Sequence, residues 1–346
     1  MIKEAECYDK VGDDTLRCFL CPKRCIIKEG QTGFCKVREN RGGRLYTLIY
    51  GETSNQSVDL IEKRGFFHFF PGSQTFSISS IGCSLACPWC EYYSISQAGV
   101  GSQVTFEISP KEVVDLAKRY GASSICYAHN EPTMWYEFVK DVSKLSKGED
   151  IKNVLVTNGY ITLEALKGFV GCIDAVHIKV MSFSEGFYRD YCAGELAPVL
   201  DASKYLVKNG VHVELSYLVI PLLNDSSEEV GRFIDWVVNE LRVDVPVHFA
   251  RFFPVYKLAD RPPTPADTLM GIANTAYEKG LEYVYVNNVF VEGLEDTHCP
   301  RCRTLLITRY GSSFVNSNLT GRNECPSCGL KIPVVGKPKV SPPKLY

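Results

Sequence analysis

The sequence predicts an α/β protein: a complete or partial (β/α) barrel over residues 76–290, with a cysteine-rich segment before it and a small cysteine-bearing module after it. Three observations carry this prediction. Short apolar, β-rich runs alternate with amphipathic helical runs through the middle of the chain, the pattern of parallel βαβ units. Eleven of the fifteen cysteines fall into three local groups, one in each part of the chain. Polar and charged residues gather where the predicted strands end, which is where chemistry sits in such barrels.

The predicted strands are 76–82, 123–128, 152–157, 174–180, 211–220, 245–252 and 282–286. Between them, Ser109-Pro110 offers a cap followed by proline at the first helical position, opening a helix that runs to Gly121. A second helix is expected over 226–241, with Ser226 as its cap and Val230, Phe233, Ile234, Val237 and Val238 on one face. Six or seven such units fit a barrel; a doubly wound open sheet is the alternative. The domain order is therefore 1–75, a cysteine-rich metal-binding segment; 76–290, the barrel; 291–336, a metal-ribbon module; and 337–346, a flexible tail with three prolines.

Composition excludes several classes. Hydrophobic residues make up 45% and charged residues 23%, ordinary for a soluble protein, and a formal net charge of −2 offers no broad basic surface for nucleic acid. No stretch approaches the ~20 apolar residues of a membrane helix. The N-terminus lacks a signal-peptide pattern, so the cytoplasm is the expected location. In a long chain without an export signal, clustered cysteines point to metal ligands rather than disulfides.

The first strand leads into Cys83, the second into His129-Asn130-Glu131 and the third into Asn158-Gly159. Lys179 ends the fourth, and His248 and Arg251 lie along the sixth. Cys83-Ser-Leu-Ala-Cys87-Pro-Trp-Cys90 has Cys-x3-Cys-x2-Cys spacing. Three thiolates this close can wrap a [4Fe–4S] cluster and leave one iron open for a small molecule. A zinc site or a ferredoxin-like carrier with a distant fourth cysteine is the bland alternative.

This motif, with aromatic Trp89 before its third cysteine, resembles the signature of the radical S-adenosylmethionine (SAM) superfamily. Ser94-Ile95-Ser96-Gln97, Asn130-Glu131-Pro132-Thr133, Thr157-Asn158-Gly159-Tyr160, Leu218-Val219-Ile220-Pro221 and His248-Phe249 extend the resemblance. Together they are similar to the pyruvate-formate-lyase-activase-like branch called AmmeMemoRadiSam, from about Cys18 to Cys328. The resemblance implies a barrel of the radical SAM type, a cluster on Cys83, Cys87 and Cys90 that binds and cleaves SAM, and a 5′-deoxyadenosyl radical that takes hydrogen from a substrate. It also implies roles: Asn130 and Glu131 for SAM's amino group, Thr157 and Asn158 for ribose, Lys179 for SAM's carboxylate, Leu218 and Ile220 beside adenine, and His248 at a further contact. An electron donor such as ferredoxin or flavodoxin, reducing anaerobic conditions and a Memo-like partner protein follow by the same analogy. This chain departs from the branch at His177, where Asp is common, at Leu222, where glycine is usual, and at Glu91-Tyr92-Tyr93.

Cys299-x2-Cys302 and Cys325-x2-Cys328 are paired knuckles with zinc-ribbon spacing; rubredoxin-like iron is the alternative. Cys18, Cys21, Cys25 and Cys35 can hold zinc or a second iron–sulfur cluster. Cys192, after the fourth strand, is a candidate hydrogen donor or substrate contact, whereas Cys126 and Cys172 read as buried hydrophobes. The leading function is a radical SAM oxidoreductase or transferase acting on its own, unidentified substrate. An activase that installs a glycyl radical on a partner enzyme, and a non-catalytic iron–sulfur or zinc adaptor, are the competing readings.

Overall fold

All seven predicted strands form in the computed structural model, which describes residues 1–289 and 291–339. An eighth, β1 (Asn55–Leu60), precedes them. The others are β2 (Gln74–Ser79), β3 (Ser124–Tyr127), β4 (Lys152–Thr157), β5 (Ala175–Val180), β6 (His212–Val219), β7 (Val247–Arg251) and β8 (Val284–Asn287). They lie in one sheet in chain order, from β1 at one edge to β8 at the other. Strands β2 to β8 are parallel, and β1 runs antiparallel to β2. The sheet is thus the partial barrel of the sequence prediction. β1 escaped notice because Asn-Gln-Ser-Val-Asp-Leu carries little β-forming or apolar signal; its pairing with β2 makes it a strand. Part of the segment assigned to the N-terminal region therefore belongs to the main sheet.

Helices follow β2 to β7 in turn: α1 (Pro110–Arg119), α2 (Tyr136–Lys147), α3 (Leu163–Lys167), α4 (Ala197–Lys208), α5 (Ser227–Trp236) and α6 (Ala266–Glu278). α1 starts at a full capping box, in which Ser109 Oγ accepts from Glu112 N and Glu112 accepts from Ser109 N. Val113, Val114 and Ala117 form its buried face. Ser226 Oγ caps α5, and the chain continues as a wider helical turn over Val237–Leu241, so the expected helix over 226–241 is present. The returns from helix to next strand are short beside the βα loops, which run from Ser79 to Pro110 after β2 and from Val180 to Ala197 after β5 and gather at one end of the sheet.

The opposite end is plugged. After a short helical turn at Ile61–Arg64, Gly65, Phe66, Phe67 and His68 enter the core, and Phe66, Phe67 and His68 are fully buried. Glu214 of β6 holds them. Its Oε1 accepts from His68 N at 2.8 Å and from Phe67 N at 3.0 Å, while His212 and His248 Nε2 each lie 2.9 Å from the carboxylate. Burial would raise the Glu214 pKa, but the His212 and His248 hydrogen bonds hold it well below the usual carboxylate value.

Two consequences are testable. Gly65 has φ +83°, and an added Cβ would stand 2.5 Å from the His177 ring. Gly65→Ala is therefore expected to cost about 3 kcal/mol in denaturant unfolding, from backbone strain and overpacking together. His68 and His177, both fully enclosed, are pushed down to about 3 by burial. They stay neutral in the native state, while the unfolded chain binds protons below the ordinary histidine pKa of about 6.5. Stability should therefore fall as pH drops from about 6.5 toward 3, by a few kcal/mol in all. Denaturant titrations at pH 7 and pH 5 check this, and equal midpoints would contradict it.

The C-terminal module is a three-stranded antiparallel sheet of Thr297–His298, Leu305–Tyr310 and Ser313–Ser317. Its core includes Cys299, Leu306, Ile307, Cys325 and Ile332, and it is shared with Phe67 of the plug, with Tyr285 of β8 and with Tyr283 just before it. Buried Arg309 donates to Phe67 O at 2.5 Å and to Thr297 Oγ1 at 2.9 Å, tying module to plug. Of the predicted tail, 340–346 lie outside the described residues, while Lys339 N donates to Pro71 O at 2.8 Å. No helix among the described residues is long and apolar enough to cross a membrane.

Candidate active site

Side chains alternate across a strand, so one face of β5, β6 and β7 carries His177 and Lys179, then Glu214, Ser216 and Leu218, then His248 and Ala250. Lys179, Ser216, Leu218 and Ala250 line a cavity of about 320 Å³ at the C-terminal ends of the strands. His177, Glu214 and His248 lie one layer deeper on the same face. The cavity is within the ~300–1,000 Å³ typical of small-molecule sites.

The loop after β2 supplies its cysteine-bearing wall. Cys83, Cys87 and Cys90 all line the cavity, with Trp89, Tyr92, Ser96 and Gln97 beside them. Leu85 N approaches Cys83 Sγ at 3.4 Å, Asn158 Nδ2 lies 3.6 Å from the same sulfur, and Ser96 Oγ lies 3.2 Å from Cys90 Sγ. Hydrogen bonds to cluster sulfurs are among the levers that set an iron–sulfur potential. Burial pushes the Cys83 and Cys90 thiols up, so loading a cluster would release protons from the loop.

The ends of β3 and β4 are joined through Glu131. Its Oε1 accepts from Thr157 Oγ1 at 2.6 Å, Thr133 Oγ1 at 2.8 Å and Thr133 N at 3.1 Å, and its Oε2 accepts from Asn158 N at 2.9 Å. Burial raises its pKa despite these donors. Asn130 accepts from Ser80 N at 2.9 Å and donates to Gly82 O at 3.1 Å, which fixes the start of the cysteine loop. Asn158 Oδ1 accepts from Tyr160 N at 2.8 Å across the turn at Gly159, whose φ is +69°. Among the described residues Lys179 has no hydrogen bond or ion pair, and its exposed ammonium faces the cavity that Cys87 and Cys90 share.

Nine residues singled out from the sequence thus converge: Cys83, Cys87, Cys90, Asn130, Glu131, Thr157, Asn158, Lys179 and Leu218. Three do not line the cavity. Ile220 is fully enclosed. His248 is also fully buried, held between Asn287 Oδ1 at 2.8 Å and Glu214 Oε2 at 2.9 Å. Its strand does reach the cavity, but the position two residues on, Ala250, is the one exposed there. Cys192 lies buried behind the cysteine loop, with its carbonyl accepting from Ala86 N at 2.9 Å and its free thiol within hydrogen-bond reach of that of Cys87. A substrate in the cavity meets Cys87 rather than Cys192.

The model of the family described as "Radical SAM superfamily" matches residues 77–237, from β2 through α5. An uncharacterized protein of Methanocaldococcus jannaschii is 40% identical over 96% of this chain and 100% of its own length. The pyruvate formate-lyase 1-activating enzyme of Escherichia coli is 25% identical over 48% of this chain and 71% of that enzyme. The chain belongs to the radical SAM superfamily. Among solved structures, Streptococcus suis SuiB bound to S-adenosylmethionine has the same fold, with a TM-score of 0.50 at 12% identity over 66% of this chain and 53% of that one. Membership of the superfamily implies a [4Fe–4S] cluster and SAM, and the three thiols with their N–H and O–H donors on one cavity fit that cofactor set.

The sequence places His129 at a strand end and marks Tyr92 as a departure from the branch, but assigns neither a role. His129 has φ +80°, uncommon outside glycine, and packs against Tyr92 with ring centroids 4.7 Å apart and the rings tilted by 50°. Burial pushes its pKa down to about 4, and its buried Nε2 has no partner among the described residues. Its place just before Asn130 was a signal, but the left-handed backbone that turns it toward Tyr92 is invisible in sequence.

The two outer cysteine groups also assemble. Cys299, Cys302, Cys325 and Cys328 bring their sulfurs within 4.8 Å of one another, with Cys299–Cys328 at 3.6 Å and Cys302–Cys325 at 3.5 Å. The Thr304 hydroxyl pulls the Cys302 thiol down to about 6, favouring the thiolate a metal needs. Cys18, Cys21, Cys25 and Cys35 line a separate small cavity with Arg38, Ser84 and Met134.

Proposed function

We propose that the chain reductively cleaves SAM at a [4Fe–4S] cluster held by Cys83, Cys87 and Cys90, and acts on a substrate of its own as an oxidoreductase or transferase. The observation that carries this reading is the meeting of the three thiols with unpaired Lys179 at the strand ends of one cavity. The cluster with SAM bound would supply a 5′-deoxyadenosyl radical for hydrogen abstraction. Lys179 would neutralise the SAM carboxylate. Glu131 fixes the ends of β3 and β4, and with one donor on Oε2 it keeps a lone pair there for the SAM ammonium. Thr157 and Asn158 border the ribose, and Leu218 supplies an apolar wall for adenine. A low-potential donor of the ferredoxin or flavodoxin class would deliver the electron.

The activase reading rests on likeness to the E. coli activating enzyme, and a Memo-like partner on the branch resemblance. A direct test incubates reconstituted protein and SAM under reductant with and without a candidate partner. Turnover of SAM into 5′-deoxyadenosine with hydrogen drawn from a small molecule supports the proposal. A stable glycyl-radical signal on the partner would favour the activase.

For the C-terminal four cysteines we propose one structural zinc. The closed, close-packed sulfur set supports this, since Zn–S bonds of ~2.3 Å place tetrahedral sulfurs about 3.8 Å apart. In the full chain, Cys325→Ser with Cys328→Ser is expected to release about one zinc and lower the thermal midpoint, while reductant-driven SAM cleavage continues. Metal analysis finding iron there in place of zinc would contradict it.

A further inference from the structure

We infer that Cys18, Cys21, Cys25 and Cys35 hold a second [4Fe–4S] cluster rather than a single metal ion. All four line one cavity, and that cavity has no other cysteine in its wall. A mononuclear site needs its ligand atoms within a few ångströms of one another. The C-terminal four meet a limit of 4.8 Å, and among the described residues they are the one His/Cys/Asp/Glu group that does. The N-terminal four surround a common space but stand wider than that. Cys83, Cys87 and Cys90, to which the superfamily assigns a cluster, are spread beyond the same limit. Wide spacing around a shared cavity is what a cubane demands, because each cysteine binds a different iron.

A second, independent observation points to an anionic occupant. Arg38 lines this cavity and is 1% exposed. Its Nη2 pairs with Glu137 at 2.6 Å and 2.8 Å, and its Nη1 donates to Glu6 O at 2.9 Å. Its Nε, also buried, has no partner. A buried guanidinium N–H is costly to leave unmet. A thiolate or sulfide of the cluster would accept it, and four thiolates on a [4Fe–4S] core carry net negative charge that the cation offsets. Phe34 N already approaches Cys25 Sγ at 3.4 Å, a further N–H donor of the kind that tunes cluster sulfurs. Ile27 and Leu20 complete an apolar wall that would keep water from the iron.

The location gives the cluster a use. Ser84, which lines this cavity, directly follows Cys83, which lines the active-site cavity, and Asn158 Nδ2 reaches both, at 3.2 Å from Ser84 Oγ and 3.6 Å from Cys83 Sγ. The N-terminal cluster would accept one electron from a low-potential iron–sulfur or flavin donor and pass that electron to the cluster on Cys83, Cys87 and Cys90, returning to its oxidised state.

The test uses the full chain carrying Cys83→Ala, Cys87→Ala and Cys90→Ala, reconstituted anaerobically with iron and sulfide. The inference expects about four irons and about four acid-labile sulfides to remain per chain, with the Mössbauer signature of a cubane. Zinc, or iron without sulfide, would overturn it; rubredoxin-type iron at the C-terminus adds no sulfide and cannot mimic the result. Should the triple variant fail to fold, the otherwise native chain with Cys21→Ser and Cys25→Ser decides. Labile sulfide should then fall by about four per chain relative to wild type, and a value unchanged by the two substitutions would overturn the inference. Loss of the radical SAM reading itself would show differently, as intact SAM in a fully loaded wild-type protein.

Discussion

Alanine at Cys83, Cys87 or Cys90 is expected to reduce SAM cleavage to background. Each thiolate would bind a different iron, and the three come from one short loop whose shape is set by Asn130, Gln97 and the turn after β2. Two thiolates cannot hold a cubane with one iron left open. Behind the loop stands Cys192, a free thiol within hydrogen-bond reach of Cys87. The three variants should behave alike. The measurement is 5′-deoxyadenosine formed per chain under reductant, with iron and sulfide counted in parallel. Cleavage at the wild-type rate by any one variant would contradict the assignment.

Lys179→Ala and Glu131→Gln are expected to weaken SAM binding by different routes, and the difference is diagnostic. Lys179 is exposed to the cavity and has no protein partner among the described residues, so its removal should leave thermal unfolding and cluster absorbance unchanged. A hydrogen bond to a charged group contributes about 1.5–3 kcal/mol, which corresponds to a loss of roughly ten- to a hundredfold in affinity. Glu131 is buried and takes four donors. A glutamine there turns an NH2 group against Thr133, Thr157 or Asn158, leaving donors unpaired. Its variant should lose both SAM affinity and stability. Unchanged SAM affinity in both variants would reduce these strand ends to caps and packing.

Much of this was legible in the sequence where local signals agree with the fold. β2 to β8 read as apolar runs because a sheet covered on both faces buries nearly every residue, as in β3, where all four positions are buried. Ser109 and Ser226 announced α1 and α5 through hydrogen bonds that lie within three residues. The cysteine groups were visible for the same reason: their ligand sets are local in sequence. What stayed hidden depends on contacts across long separations. The Glu214 network joins residues 65–68 to β6 and β7, so nothing near His248 says that its partners are Glu214 and Asn287 rather than a cofactor. Strand periodicity places His248 and Ala250 on the same face but not at the same depth, and depth decides which one meets a ligand. Leu222 is a further case: its φ of +62° and 87% exposure suit the glycine usual in the branch, and the leucine adds no buried contact.

The central claim is that three cysteines, one lysine and the ends of β3 and β4 form a single site for reductive cleavage of SAM. It is tested most directly by loading the full chain with iron and sulfide under anaerobic conditions, adding SAM and a strong one-electron reductant, and measuring 5′-deoxyadenosine over time. The account expects its accumulation in the wild-type chain and none in the Cys90→Ala variant. SAM left intact by a wild-type chain whose iron and sulfide show the cluster fully loaded would contradict it.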